Sequence, residues 1–214
     1  MRLRVPFLGI AAVALGGCFL FPGPKIAAGP SPYGSPYSGL KDKRTAIVIY
    51  VPRSTIDEYP MAREEISTFV ANKMRASMPS SGFASSVIDP AMVIEWQDST
   101  FNWRNLPETE IGRHFNAERL LCINVLEYST RKVIGHGEMQ GRLRAQCRVF
   151  EIPASAAATA PVQYAPATAA WQSLIDIHWP PTQTLAPTQT NEGAVRYRTL
   201  DTFSERLVGY FTQS

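Results

Sequence analysis

From Met139 to Val149 the chain alternates almost without exception. Met139, Leu143, Ala145, Cys147 and Val149 fall on one side of an extended backbone, and Gln140, Arg142, Arg144, Gln146 and Arg148 fall on the other. A period of two residues means a β-strand, and one this lopsided belongs to a sheet with a buried face and a wet face. Such a sheet needs helices laid over its apolar side. The stretch Leu120–Ser129 (LLCINVLEYS) reads as a second strand, and the turn-rich residues 131–137 between the two predict a hairpin.

The remaining elements fit that requirement. Thr45–Val51 (TAIVIYV) is a continuous β-branched and aromatic run closed by Pro52, as expected for a strand covered on both faces. Pro60 introduces a helix over 61–78, in which Ala62, Ile66, Phe69, Val70 and Met74 recur at helical spacing before Pro79 stops it. A short strand is predicted over 83–88, followed by a helix to Trp96 capped by Asp89 with Pro90 in its first turn. Ile111 and Phe115 set a helix over 108–118. Trp171–Trp179 (WQSLIDIHW) is a strand ended by Pro180-Pro181, and Leu200, Phe203, Leu207 and Phe211 stripe a last helix over 199–211. The order β-α-(β)-α-α-β-β-β-α predicts an α/β (α+β) fold, with helices packed on a mostly antiparallel sheet.

The amino terminus has a different character. Arg2 and Arg4 precede the uncharged run 5–17 (VPFLGIAAVALGG), which is too short for a permanent membrane span and has the build of an export signal. The run ends in Leu15-Gly16-Gly17-Cys18, which matches a bacterial lipobox, so residues 1–17 are expected to be cleaved and Cys18 to carry the lipid. Several acyl chains on one cysteine make an anchor far stronger than a single myristoyl group. Phe19, rather than Asp, follows the cysteine, which favours outer-membrane over inner-membrane residence. Palmitate on Cys18 and a periplasm-facing domain in the cell envelope are the expectation.

Residues 18–42 hold prolines at 22, 24, 30, 32 and 36 with glycines between them and read as a tether. Residues 43–214 then form one domain interrupted by an Ala/Pro-rich insertion over 153–169. The formal charge of +3 falls to +1 once Arg2 and Arg4 leave with the signal. A near-neutral chain without a Lys/Arg run has no footprint for nucleic acid.

Few residues offer chemistry. If the hairpin turn centres between Ile134 and Gly135, Cys122 and Cys147 stand opposite each other, and two readings remain: a disulfide formed in an oxidising compartment, or two buried thiols. The segment 135–141 (GHGEMQG) resembles a loosened dinucleotide fingerprint, but a strand pattern follows it where a helix is required, so it reads as a turn with a bulge. His114, His136 and His178 are not spaced as a zinc pair, and His114 with Glu118 reads as a solvated helix pair. There is no G-x-S-x-G elbow, H-E-x-x-H or Walker loop. Trp171 and Trp179 share a strand phase with Ile175 and Ile177 and are expected in the core. Trp103, in the loop QDSTFNWRN, is the candidate exposed contact, and Arg142, Arg144 and Arg148 form a row on the wet face that could meet an acidic partner.

Taken together, TAIVIYVP, the following helix, EIGRHFNAERLLCINVLEYSTR, GEMQGRLRAQCRVFEI and WQSLIDIHWPP resemble envelope lipoproteins whose domain is similar to the amino-terminal domain of the Tol-system β-propeller protein and to the curli-secretion lipoprotein. The resemblance lies in the plan of elements over 43–214 and carries no catalytic residue. It implies a non-enzymatic factor without a cofactor, bound to the bilayer through Cys18 and to a protein partner of the envelope. The alternative expectation is a glycan- or small-ligand-binding lipoprotein that uses the Trp103 loop.

Overall fold

The computed structural model describes residues 36–77, 87–134, 138–153, 167–181 and 191–212, with the side chains of 132–134 and 138 outside that set. All of them lie in one compact unit, Ser31–Ser214. The export signal, Cys18, residues 19–35 of the tether, most of the strand expected over 83–88, His136 and most of the insertion lie outside the described residues.

In chain order the elements are β1 (Thr45–Tyr50), α1 (Arg53–Glu58), α2 (Ala62–Ser77), α3 (Pro90–Ser99), a single 3-10 turn (Trp103–Asn105), α4 (Glu108–His114), β2 (Arg119–Ile134), β3 (Glu138–Glu151), β4 (Ala169–Trp179) and α5 (Glu192–Thr212). The sheet order is β1-β2-β3-β4. β1 runs parallel to β2, and the other two pairs are antiparallel. This is the predicted α+β arrangement.

The alternation of β3 decides the layering. Leu143, Ala145, Cys147 and Val149 join Ile47, Ile49, Leu121, Ile123, Ile175 and Ile177 on one face, against Ile66, Val70 and Met74 of α2 and Leu200, Phe203, Leu207 and Phe211 of α5. Phe203 and Ile66 are fully buried, and removing a side chain of this size from water contributes about 1.5–3 kcal/mol. Gly141 permits the close seating of α5, since a Cβ there would lie 1.9 Å from Thr199 Oγ1 and 2.9 Å from Val195 Cγ1. Trp171 packs on Phe211 at 5.1 Å, in the core as its phase predicts.

The opposite face carries a smaller cluster. Ala46, Val48, Leu120, Cys122 and Phe150 are covered by Ile88, Val93, Trp103, Ile111 and Phe115 from the α3–α4 segment. β1 is therefore buried on both sides, as its uninterrupted apolar run requires. The expected cap forms at α3, where Asp89 accepts the Ala91 amide at 3.1 Å and Pro90 occupies the first turn.

Several boundaries differ from expectation for local reasons. Residues 36–42 belong to the domain and not to the tether: Leu40 is fully buried in the main core, and the Tyr37 amide donates to the Tyr210 carbonyl at 2.7 Å. α4 stops at His114 because Asn116 takes a left-handed φ of 49°. Glu118 then turns away to accept Lys43 Nζ at 2.9 Å and the Arg44 amide at 3.1 Å. α5 begins at Glu192, where Asn191 Oδ1 accepts the Ala194 amide at 2.8 Å. Of the strand expected over 83–88 the described part is a single bridge, Thr45 to Val87.

Candidate functional site

The α3–α4 segment covers only part of its sheet face. It shields β1, the start of β2 and the end of β3, and beyond it the strands continue with one side open. By register this open area comprises Asn124, Leu126, Glu127 and Ser129 of β2, Arg142, Arg144, Gln146 and Arg148 of β3, and Gln172, Leu174, Asp176 and His178 of β4. Leu126 is 47% exposed and Leu174 39%, and they flank the central strand.

Two irregularities in the β2–β3 ladder build this surface. The register shifts between Val125 and Glu127 and again between Ser129 and Lys132, each time by one extra residue on β2. Leu126 is the residue added by the first bulge, which holds it outward while Val125 and Tyr128 stay in the core.

The arginine row is not uniform. Arg142 is held by Glu127 at 2.9 Å and by Asp176 at 3.2 Å, and hydrogen bonding to Asp176 raises its affinity for the proton above that of an ordinary guanidinium. Asp176 also takes His178 Nε2 at 3.2 Å. Arg148 lies over the Phe150 ring at 5.2 Å and reaches Glu108 only at 3.9 Å. Arg144 stands in register between Glu127 and Asp176, yet both carboxylates turn to Arg142. Arg144 makes no ion pair with any described residue, and its Nε, like that of Arg148, is buried without an acceptor. The row expected on the wet face is thus uneven: all three arginines are half-buried, Arg142 is neutralised, and Arg144 Nε has no acceptor among the described residues.

Trp103 is not an exposed contact. Asn102 adopts a left-handed φ of 59°, which swings the next residue inward. Trp103 is 6% exposed, packed on Tyr50 at 4.9 Å and Trp96 at 6.4 Å with Arg104 above its ring. The exposed aromatic of that loop is Phe101, at 89%.

Cys122 and Cys147 are both free and buried. Cys122 pairs with Arg148, and Cys147 pairs with Ile123. In an antiparallel ladder opposed residues share a face, so this one-step difference sends the two thiols to opposite faces, one into each apolar cluster. The expected juxtaposition fails because the turn lies further along the chain, which offsets the pairing by three residues, and the two extra residues on β2 recover only two of them. Burial pushes both thiols well above their usual pKa, which opposes nucleophilic use.

Among the described residues no group of three His, Cys, Asp or Glu is placed to hold a metal ion. His114 is exposed and stacks on Trp96 at 5.1 Å, while Glu118 is engaged with Lys43, so the two do not form the helix pair expected of them. No described helix is long and apolar enough to cross a membrane. Beside the open face, at the outer edge of β4, lies a groove of about 400 Å³ lined by Asp176, His178, Pro181, Thr202, Glu205 and Arg206, among others.

Leu126, Leu174, Glu127 and Asp176 were not singled out by sequence reasoning. The phase of β2 carried a signal for the first of them, since Leu120, Cys122, Asn124 and Leu126 alternate on one side.

No protein-family model matches the chain, and no curated protein matches it. Among solved structures, it is similar to the PelC dodecamer from Paraburkholderia phytofirmans, at 15% identity and a TM-score of 0.43 over 81% of this chain and 92% of that one. It is similar to lipoprotein GNA1162 from Neisseria meningitidis at 13% identity and a TM-score of 0.41, covering 79% of this chain and 99% of the other. A minor lipoprotein from Acinetobacter baumannii matches at 9% identity and a TM-score of 0.32, over 79% of this chain and 92% of its own.

Proposed function

We propose that this chain is a bacterial envelope lipoprotein, lipidated at Cys18, whose domain is a non-catalytic module that binds another envelope protein through the open half of its sheet. Leu15-Gly16-Gly17-Cys18 supports the anchor and the periplasm-facing address, with the outer membrane favoured by Phe19. The observation that carries the interaction is the contrast within one sheet face: one half is sealed by α3 and α4, while the other exposes Leu126 and Leu174 around an arginine that has no ion partner among the described residues. Apolar contacts beside an unsatisfied guanidinium suit a partner that brings a carboxylate into an otherwise apolar patch.

The placement suits such a role. The described chain enters at Tyr37, near Arg119 and Glu151, where β2 begins and β3 ends. Arg144 lies opposite Glu127, roughly 25 Å along the strand from Arg119. The point where the described chain enters and the open face thus lie well apart along β2.

The test of the anchor is metabolic labelling with radioactive palmitate. Wild type is expected to take up label and to fractionate with membranes, and Cys18→Ala is expected to do neither. Absence of label from the wild type, with a mature amino terminus elsewhere, would refute the reading.

A further inference from the structure

α2 and α5 each send one side into the core, Ile66, Val70 and Met74 from the first and Leu200, Phe203 and Leu207 from the second. On the side turned away from the sheet they leave a groove of about 340 Å³. Phe69 and Lys73 are four residues apart on α2, and Tyr197 and Asp201 are four apart on α5, so the members of each pair share a helix face about 6 Å apart along the axis. Across the groove Phe69 meets the Tyr197 ring edge-on at 5.4 Å, and Lys73 Nζ meets Asp201 Oδ1 at 3.3 Å. An aromatic wall therefore stands one turn away from an ion pair. The Tyr197 side chain is 53% exposed, while Phe69, packed against it, is half-buried and holds the ring in place.

We infer that this groove binds a neutral pyranose ring, with Tyr197 as its stacking face and Asp201, Lys73 and Asn72 as its hydroxyl contacts. A pyranose has two kinds of surface, an apolar face of C–H groups and a rim of hydroxyls that both donate and accept. An exposed tyrosine suits the first, because its ring face is electron-rich and the side chain loses little freedom on binding. The rim needs donors and acceptors side by side, and the groove supplies them. Asp201 Oδ2 accepts from no described residue, and Lys73 spends one of its three protons on Asp201. Asn72 Oδ1 takes Arg75 at 3.4 Å, and its amide N–H groups donate to no described residue. Thr68 adds a hydroxyl to the same lining. Lys73 and Asp201 cancel in charge, which favours an uncharged ring over a phosphate or a carboxylate. A few polar groups converging beside aromatic side chains in a hollow of this size have the make-up of a small-ligand site. Trp103 is buried and cannot serve as the ligand contact expected of its loop, and Tyr197 takes that part. The groove lies in the helical layer, across the sheet from Arg144, so the inference goes beyond the proposed protein contact.

The experiment is ligand-observed saturation-transfer NMR on the full-length chain, extracted in a detergent without a sugar headgroup. The probes are maltohexaose, cellohexaose and chitohexaose, with glucose beside them. At least one probe is expected to bind the wild type. Tyr197→Phe is expected to keep that binding, since the ring remains, and Tyr197→Ala to weaken it about tenfold while melting as the wild type does. Asp201→Asn is expected to weaken it as well. A hexamer that binds more tightly than glucose marks a glycan chain as the source of the ring, and equal binding marks a free sugar. Arg144→Ala is expected to bind the probes as the wild type does, which separates this site from the proposed protein contact. No binding of any probe, binding unchanged in a folded Tyr197→Ala chain, or an equal loss in Arg144→Ala each overturns the inference. So does a protein adduct from a photoreactive residue at position 197, which would mean that a polypeptide fills the groove.

Discussion

The hydroxyl of Tyr59 accepts the amide of Thr130 across 3.1 Å, in a buried contact between the loop after α1 and the second bulge of β2. The bulge removes that amide from the ladder, and the phenol satisfies it. Tyr128, two residues earlier, packs edge-on against the same ring at 5.0 Å. Tyr59→Phe keeps the ring and removes the acceptor, leaving a buried N–H unpaired. Denaturant unfolding is expected to show a loss of about 1–3 kcal/mol. An unchanged midpoint would mean that the bulge does not need this hydroxyl.

Gly141 sets the height of α5 above β3. A valine there must displace Thr199 or Val195, so Gly141→Val is expected to lower stability by about 1–3 kcal/mol and to reduce the melting temperature. Thr199→Ala in the same chain should recover part of that loss, since it removes the Oγ1 atom nearest the added carbon.

Arg142 and Arg144 are neighbours on one face with different duties. Arg142→Ala leaves Glu127 and Asp176 without their shared cation and is expected to cost about 1 kcal/mol. Arg144→Ala breaks no ion pair and is expected to stay within about 0.5 kcal/mol of wild type. Thermal unfolding of the two variants side by side checks the contrast.

Glu118 ties the start of β1 to the end of α4, and its hydrogen bond from Lys43, followed by that from the Arg44 amide, lowers its carboxyl from the ordinary 4.5. The folded pKa lies below the unfolded one, so this group stabilises the fold above pH 4.5 and loses that contribution as the pH falls through the folded value. Wild type and Glu118→Gln are therefore expected to differ most above pH 4.5 and to converge in stronger acid.

The thiols give a chemical check on the register. Mapping of unreduced peptides is expected to find Cys122 and Cys147 free. Both should resist an aqueous thiol reagent in the native chain and react on unfolding. A peptide containing both cysteines joined by a disulfide would contradict the register.

The sequence exposed what periodic burial dictates. β3 announced itself because one of its faces is buried along its length, and α2 and the latter half of α5 did so because their stripes cover that face. Bulges leave no such trace, since Leu126 looks like any other strand residue, and a one-residue slip was enough to turn Cys122 away from Cys147. Trp103 was misjudged because its burial depends on the left-handed turn at Asn102, which composition does not announce. The start of α5 did leave a mark, the Asn191 cap, but the residues that follow are too polar to show a stripe. The open face could be read only as an arginine row; that one arginine is saturated and its neighbour is not depends on where Glu127 and Asp176 turn, and this is a matter of three dimensions.

The central claim is that the open half of the sheet receives another protein. A photoreactive residue at Gln146, exposed between Arg144 and Arg148, tests it in intact envelopes, with Tyr197, half-exposed on α5, as the control position. The account predicts one discrete adduct from position 146, of a mass distinct from two copies of this chain, that is absent from position 197 and lost with Arg144→Glu. No adduct from 146, or the same adduct from both positions, would contradict it.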